Sequence, residues 1–369
     1  MKKIVITAAI LAFGVINYAQ ADTIRATSAF GPKHVMAQAG YPALFKKLKE
    51  LTDGRWTGYD TPSGLVGPNE MNSALREGIT DMGPVMFPYF SADYVESGIV
   101  GDLSMLGTDN RAIASAVSEY IATCLECIKE FSKNGQVYLG SDATTAYQLL
   151  STKRIESLSD LKGLRVRTGG ATYSYIIEKM GALPVYFPAS EIFEALSSGV
   201  ADATYSSIPD LKNIQLYDAV KYVTLIDKGV FNAAAMTNLS QRVWDKMSLE
   251  DRSSMARAAQ YAQTIAIYSW RDTAAEAEKI AKEKGIEFIQ PDKEFVKRGN
   301  DIRDEYMAGV TEALTKKGVT NAAAKVDRYK ALLKKWEGLV ANVTTSDELA
   351  ELRYKEIWSK VDMKTYGSH

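Results

Sequence analysis

The sequence predicts an α/β protein made of two similar lobes, with one long helix that spans both and further helices towards the carboxyl end. Strand and helix patterns alternate from residue 23 to residue 84, and the same alternation begins again at about residue 145. This order is typical of parallel sheets covered by helices. Residues 249–284 form one helical pattern without Gly or Pro, about 54 Å long at 1.5 Å per residue. Such a helix exceeds one lobe and is expected to run along both.

Hydrophobic periodicity and turn residues set the expected elements. The first alternation predicts strands at residues 23–28, 56–59 and 80–84, and helices at 35–51 and 69–76. The second predicts strands at 164–168, 183–187 and 202–205, and helices at 171–180 and 190–197. Three C-terminal helices are expected at 293–316, 321–340 and 346–361. We therefore expect a first lobe of residues 22–144 and 232–272, and a second lobe of residues 145–231 and 273–369 that carries the C-terminal helices as an annex.

Composition excludes several classes of protein. The chain has 369 residues, of which 46% are hydrophobic and 24% charged, which excludes long disorder and favours about two domains. Its formal net charge is −1 without a long basic run, so a nucleic-acid groove is not expected. The only histidines are His34 and His369, which argues against most His-based triads and His-rich metal sites. No metal and no cofactor are expected.

Residues 1–21 have the features of a secretory signal peptide. Lys2 and Lys3 precede an apolar stretch at residues 4–15, and Ala19-Gln20-Ala21 fits a cleavage site before Asp22. The alternative, a membrane anchor, would need a longer apolar stretch of about 20 residues. Cleavage would remove two lysines and lower the formal net charge from −1 to −3. The predicted location is the periplasm.

The two cysteines form a CxxC motif, Cys124-Leu125-Glu126-Cys127. Thiol redox chemistry and half of a zinc site are alternatives to a local disulfide. The motif is expected to end a helical pattern at residues 113–121, away from the start of a domain, and no second CxxC is present. The sequence therefore favours a short disulfide between Cys124 and Cys127, whose small loop adds modest stability.

The segment Ser159-Asp160-Leu161-Lys162-Gly163-Leu164-Arg165-Val166-Arg167 resembles a characteristic stretch of TRAP-transporter solute-binding proteins, the periplasmic receptors of tripartite transporters first associated with dicarboxylates. The resemblance extends over most of the chain up to Lys284. Its order and spacing are more specific than any one fragment. The other similar segments are residues 63–67, 75–82, 180–185, 190–196, 199–202 and 216–224.

The resemblance implies a two-lobed periplasmic-binding-protein fold with a hinge, a long lobe-spanning helix and a C-terminal helical annex. It also implies a ligand enclosed between the lobes, by hinge closure, and delivered to TRAP membrane permease subunits. A sensory protein that presents its ligand to a membrane receptor is the alternative. An enzyme, such as a thiol oxidoreductase using Cys124 and Cys127, is not expected.

Arg167 is the principal expected ligand contact, because it matches the family's arginine that meets the ligand carboxylate. A guanidinium stays charged and offers a planar fork that matches a carboxylate. Gly170, after Gly169, is expected to leave room for the ligand at the start of a helix. Arg165 shares a strand face with Arg167 and is the alternative contact.

The resemblance places other positions at the cleft, where this chain departs from the dicarboxylate and sialate binders. Family positions for a second arginine, a pocket asparagine and a pocket acid fall near Tyr147, Ser206 and Met86. Core packing is the alternative for each aromatic residue. His34 could face the cleft, but a capping or surface role is favoured. The further candidates are Tyr205, Phe87, Ser28 and Phe231.

A single cleft arginine suits a ligand with a single negative charge. A second buried carboxylate would lack a partner, which is strongly unfavourable. The sequence therefore predicts a small organic anion, a monocarboxylate or sulfonate rather than a dicarboxylate.

Overall fold

The computed structural model describes residues 21–62 and 66–367 of the chain. The predicted signal peptide lies outside the described residues except for Ala21. Two sheets organise the described part, each covered by helices. The strands are β1 (Asp22–Ala26), β2 (Trp56–Asp60), β3 (Met82–Met86), β4 (Gln136–Val137), β5 (Tyr147–Ser151), β6 (Arg165–Thr168), β7 (Leu183–Tyr186), β8 (Ala203–Ser207), β9 (Tyr222–Thr224), β10 (Ala234–Ser240) and β11 (Glu287–Ile289).

Helices occupy most of the remaining chain, and a π-helical turn at Met36–Gly40 leads into the first of them. They are α1 (Tyr41–Leu51), α2 (Met71–Glu77), α3 (Ile99–Asp102), α4 (Asn110–Ala122), α5 (Leu125–Lys133), α6 (Leu158–Leu161), α7 (Ala171–Lys179), α8 (Ile192–Ser197), α9 (Asp210–Asn213), α10 (Gln241–Lys246), α11 (Leu249–Glu283), α12 (Lys293–Lys316), α13 (Ala322–Val340) and α14 (Ser346–Glu356).

The first sheet has the strand order β2-β1-β3-β10-β4. Strand β1 pairs in parallel with β2 and β3, as the alternating pattern predicts. Strand β10 is antiparallel to both β3 and β4, so the chain returns to this sheet after building most of the second one. All residues of β3 and β10 are buried, which is why these strands appear as continuous apolar or small-residue runs.

The second sheet has the order β11-β9-β5-β8-β6-β7. Strand β6 pairs in parallel with β7 and β8, while β5 is antiparallel to β8 and β9. The described chain therefore passes between the sheets three times: between β4 and β5, between β9 and β10, and between β10 and β11. The carboxyl end of β6 faces the first lobe, which brings Arg167 to the boundary between the lobes.

Helix α11 spans the two lobes, as expected. Ser248 caps its amino end by accepting a hydrogen bond from the Asp251 amide (3.1 Å). The small residues that allow close packing, Ala258 and Ala262 among them, are buried in the first-lobe core. Further along, Ala277 and Ala281 belong to a cluster in the second lobe.

The C-terminal helices correct the expected lobe assignment. Helix α12 begins in the second lobe, where Phe295 and Ile302 are buried, and ends in the first, where Leu314 is buried. The apolar faces of α13 and α14, including Trp336 and Leu349, then join the first-lobe core beside α4 and α11. The sequence assigned these helices to the second lobe because their patterns do not reveal that α12 crosses between lobes.

The sulfur atoms of Cys124 and Cys127 are bonded. Cys124 stands just before α5, and its sulfur also accepts a hydrogen bond from the Cys127 amide (3.1 Å). The motif thus begins a helix instead of ending one. Among residues 21–62 and 66–367, no helix has both the length and the apolar run that a bilayer crossing requires.

Candidate ligand-binding site

A cavity of about 70 Å³ lies between the two lobes. This volume corresponds to roughly five water positions, so it suits a compact ligand. Pro88 and Tyr89, which follow β3, meet the end of β7 and the segment after it at the edge of the cavity. The Tyr186 hydroxyl donates to the Pro88 carbonyl (3.2 Å), and the Ala189 amide donates to the Tyr89 hydroxyl (3.0 Å). Of the residues expected at the site, four line this cavity: Arg167, Tyr147, Ser206 and Phe231.

Arg167 is the cation of the cavity. It lies near the end of β6, its residue is 3% exposed, and its Nε donates to the Phe187 carbonyl (3.0 Å). Within the described part of the chain, no carboxylate lies within 4.0 Å of its guanidinium. A Cβ atom at Gly169 would stand 3.5 Å from its Nη1, so Gly169 leaves space beside the guanidinium. Because a buried charge is stable only when paired, the terminal nitrogens are suited to an anion.

Arg165, the alternative contact, has a different role. Two residues earlier on the same strand, it is half-exposed and forms an ion pair with Asp202 through Nε (3.0 Å) and Nη2 (3.2 Å). Asp202 also accepts from Lys153, and these partners lower its pKa to about 2 against the opposing effect of burial. Arg165 does not line the cavity.

Tyr147, the first residue of β5, lines the cavity, and its hydroxyl makes no hydrogen bond within the described residues. Its ring packs against Tyr173 and Tyr205, with centroids 5.3 and 5.4 Å away. Burial raises the pKa of Tyr147 well above its usual value, so its hydroxyl remains a donor. Tyr205, expected to touch the ligand, instead supports Tyr147 from behind and donates to the Lys228 carbonyl.

Ser206 and Tyr205 are neighbours on β8 and therefore point to opposite faces of the strand. Ser206 is the one that reaches the cavity, but its hydroxyl donates to Asp210. The same Asp210 oxygen accepts from the amide (3.2 Å) and hydroxyl (3.0 Å) of Ser207. Burial raises the pKa of Asp210, while these donors and the charge of Arg167 oppose that shift. The Ser206 proton is thus already used within the protein.

The first-lobe wall consists of residues that the sequence did not select. Ala29 adopts φ +66°, in the left-handed region that disfavours alanine, and the next residue, Phe30, lines the cavity. His34 stacks on Phe30 (4.6 Å between centroids) and meets Trp270 edge-on (5.5 Å). The predicted surface role of His34 is therefore wrong, because its residue is 5% exposed and it lines the cavity. Its capping role is seen at the start of the first helical segment, where its ring accepts the Met36 amide.

Two titratable groups on this wall are shifted by burial. Burial lowers the pKa of His34 to about 3, so its imidazole is neutral. Its Nδ1 accepts the Met36 amide (3.3 Å), which assigns the ring hydrogen to Nε2. Burial raises the pKa of Asp142 to about 6, although the Trp270 indole donates to its Oδ2 at 3.0 Å.

Three other expected residues do not line this cavity. Phe87 packs in the first-lobe core against Tyr94 and Phe131, and the preceding Met86 takes the cavity position because neighbouring strand-end residues point in opposite directions. Ser28 is buried behind β1, where its amide donates to Asp60 (2.8 Å). Gly170 borders a separate opening of about 770 Å³ between the lobes, also lined by Phe87 and Phe231.

The lining residues that the sequence missed come from irregular segments and from within helix α11. Asp142 and Thr144 lie between β4 and β5, and Trp270 lies within α11. A rare histidine beside Phe30 was the one signal that could have indicated the first-lobe wall. In the described ranges, no group of three or more His, Cys, Asp or Glu side chains could hold a metal ion. The remaining lining residues are Met86, Tyr89, Ala189, Ile214 and Met236.

The chain matches one protein family over most of its length. The family model described as bacterial extracellular solute-binding protein, family 7, matches residues 28–311. Among sequence relatives, the outer membrane transporter protein TsaT of Comamonas testosteroni is 21% identical over 89% of this chain and 97% of its own. The sialic acid-binding periplasmic protein SiaP of Vibrio cholerae is 27% identical over 42% of this chain and 47% of its own.

Solved structures of the same fold include several TRAP receptors. One from Bordetella bronchiseptica, with bound (R)- and (S)-mandelate, has a TM-score of 0.74 at 20% identity, covering 85% of this chain and 99% of that one. One from Rhodoferax ferrireducens, with copurified benzoate, has a TM-score of 0.77 at 17% identity, covering 87% of this chain and 100% of that one. With two lobes, a spanning helix and a family match over more than half of its residues, the chain belongs to the bacterial extracellular solute-binding proteins of family 7, the periplasmic solute receptors of TRAP transporters.

Proposed function

We propose that this protein captures a small organic monocarboxylate between its lobes in the periplasm and delivers it to a TRAP membrane permease. The observation that carries the proposal is Arg167, a buried guanidinium on the cavity wall with no carboxylate within 4.0 Å in the described residues. An anionic ligand would supply the missing partner. The predicted signal peptide supports export.

The remaining wall favours a ligand with one charge and an apolar body. Aromatic and sulfur-containing side chains of Phe30, Trp270, Phe231 and Met236 surround the space next to Arg167. Among residues 21–62 and 66–367, no second lysine or arginine lines the cavity, whereas Asp142 and Asp210 both do. A second carboxylate on the ligand would therefore be buried beside acids instead of cations. Mandelate and benzoate, the ligands in two related structures, have this one-charge, apolar form.

Isothermal titration calorimetry on the chain from Asp22 onward tests the ligand class. The panel is benzoate, mandelate, benzenesulfonate, butyrate, succinate and phthalate. We expect at least one monocarboxylate to bind and the dicarboxylates to bind more weakly or not at all. Tight binding of a dicarboxylate without binding of any monoanion would overturn the proposal. Benzenesulfonate shows whether the site also accepts a sulfonate.

A pair of arginine variants tests the site. Arg167→Ala is expected to weaken binding by at least about 30-fold, because it removes one partner of a buried charge pair. Arg165→Ala is the matched control, since it removes an arginine of the same strand that pairs with Asp202 outside the cavity. Equal effects of the two variants would contradict the assignment.

An uptake assay tests delivery to the permease. Cells that lack the gene should take up the labelled ligand again when they receive the wild type, but not when they receive Arg167→Ala.

A further inference from the structure

Asp142 stands on the first-lobe wall as a buried acid that the anion-binding role of Arg167 does not use. Its residue is 6% exposed, and it lines the cavity. The Trp270 indole fixes its orientation by donating to Oδ2 at 3.0 Å. In the part of the chain that the structure describes, Oδ1 accepts no hydrogen bond from another residue, and the carboxylate forms no salt bridge.

No neighbouring cation pairs with the Asp142 carboxylate among the described residues. Arg353, whose charge acts on Asp142, directs its Nη2 to the Ser118 hydroxyl, the Ser141 carbonyl (3.0 Å) and Gln263 (2.6 Å) instead. A buried carboxylate with one hydrogen bond destabilises the fold unless something else pairs with it. The free oxygen is therefore more consistent with ligand recognition than with support of the core.

The other polar groups of the cavity are either donors or already paired. Ser206 donates to Asp210, and Thr144 donates to the Thr145 carbonyl (3.0 Å) while accepting the Phe231 amide (2.9 Å). Arg167 and Tyr147 offer hydrogen atoms suited to an anion. Asp210 Oδ2 already accepts from Ser206 and Ser207, so Asp142, with one hydrogen bond from another described residue, is the less satisfied of these two acids. Asp142 is therefore the acceptor best placed to meet a hydrogen-bond donor on the ligand.

We propose that Asp142 is a specificity-determining residue that recognises a hydroxyl group on the ligand, so the preferred ligand is a hydroxylated monocarboxylate. The inference rests on the proposed function, because it assumes that Arg167 holds the carboxylate. A hydroxyl group suits this wall better than an ammonium group. A hydroxyl can donate to Asp142 when the acid is ionised and accept from it when the acid is protonated. An ammonium can bind only the ionised acid, and its charge would be buried among Phe30, Trp270 and Met236.

Titration calorimetry with matched acid pairs tests the inference. The pairs are 3-hydroxybenzoate with benzoate, mandelate with phenylacetate, and 2-hydroxybutyrate with butyrate; 3-aminobenzoate and 2-aminobutyrate are added to test an amino group. In the wild type, at least one hydroxy acid is expected to bind about tenfold or more tightly than its unsubstituted partner. Asp142→Ala is expected to abolish that preference, measured as the ratio of the two affinities within each pair.

Two further variants keep the result interpretable. Asp142→Asn preserves a hydrogen-bonding group toward Trp270, so it provides a folded variant if Asp142→Ala unfolds, and is expected to reduce the preference severalfold. Asp60→Asn is the control, because Asp60 is another first-lobe acid whose pKa burial raises but which does not line the cavity. It is expected to leave the preference unchanged.

The outcomes separate this inference from the proposed function. Arg167-dependent binding without a hydroxyl preference, a preference that survives in both Asp142 variants, or stronger binding of an amino acid analogue would overturn only the role of Asp142. Failure of every acid to bind would overturn the proposed function and this inference together.

Discussion

The two walls of the cavity are built in different ways. The second-lobe wall places Tyr147, Arg167 and Ser206 near the ends of three paired strands, where backbone hydrogen bonds set the position of each side chain. The first-lobe wall takes Phe30 and Asp142 from irregular segments and Trp270 from the spanning helix. Strand ends hold the guanidinium of the cavity, while irregular segments and the spanning helix shape the space beside it. The comparison teaches that the cation and the apolar wall of the cavity have separate structural supports.

The largest expected effect concerns the second-lobe cation. Arg167→Lys keeps the positive charge but loses the planar fork and the Nε bond to the Phe187 carbonyl. We expect ligand affinity to fall by about 30-fold, with a melting temperature of the ligand-free protein close to that of the wild type. Calorimetry and thermal unfolding measure the two quantities. An unchanged affinity would show that a positive charge at position 167 is sufficient for ligand binding without the planar guanidinium.

The next effect concerns His34 on the first-lobe wall and depends on pH. The folded protein keeps this imidazole neutral because burial lowers its pKa to about 3, whereas the unfolded chain gains a proton below pH about 6.5. Its contribution to the free energy of unfolding is therefore complete above pH 6.5 and is lost as the pH falls, by up to about 1.4 kcal/mol per pH unit.

His34→Leu removes this dependence. Between pH 6.5 and 5, the free energy of unfolding should fall by about 2 kcal/mol more in the wild type than in the variant. Denaturant unfolding at pH 7, 6 and 5 measures the difference. Parallel curves for the two proteins would mean that the ring is protonated in the folded state.

A smaller effect is expected for the support of Asp142. Trp270→Phe keeps an aromatic ring on the wall but removes the indole donor to Oδ2. The expected loss is about 1–3 kcal/mol of unfolding free energy at pH 7.5, since a buried carboxylate loses its hydrogen bond. At pH 5, below the pKa of about 6 for Asp142, the loss should be smaller because the acid is protonated. A loss that does not depend on pH would assign the effect to packing alone.

The smallest effect is expected for the second-lobe hydroxyl. Tyr147→Phe preserves the ring contacts with Tyr173 and Tyr205 and removes one donor to the ligand. Affinity should decrease about threefold to tenfold, as for one hydrogen bond. Tyr205→Phe, which removes a hydroxyl bound to the Lys228 carbonyl behind the cavity, is the control for affinity. A larger loss of affinity in the control would reverse their roles.

The parts of the fold and site that could be predicted from the sequence are those with a strong local pattern. The capped amino end of α11 and the strand that carries Arg167 follow from periodicity, capping and the family resemblance. The sequence does not show which of two neighbouring side chains faces the cavity, as with Met86 and Phe87. Nor does it show that one helix passes from one lobe to the other, as α12 does. The first-lobe wall has no local pattern, because contacts such as that between Trp270 and Asp142 join residues 128 positions apart.

The spanning helix also has a mechanical consequence. Trp270 is the last α11 residue anchored in the first-lobe core, and Ala277, two turns later, is anchored in the second. Any rotation of one lobe against the other must therefore tilt helix α11 or bend it between Trp270 and Ala277. Since the Trp270 indole also forms part of the cavity wall, a molecule that fills the cavity would contact the end of the segment where α11 bends.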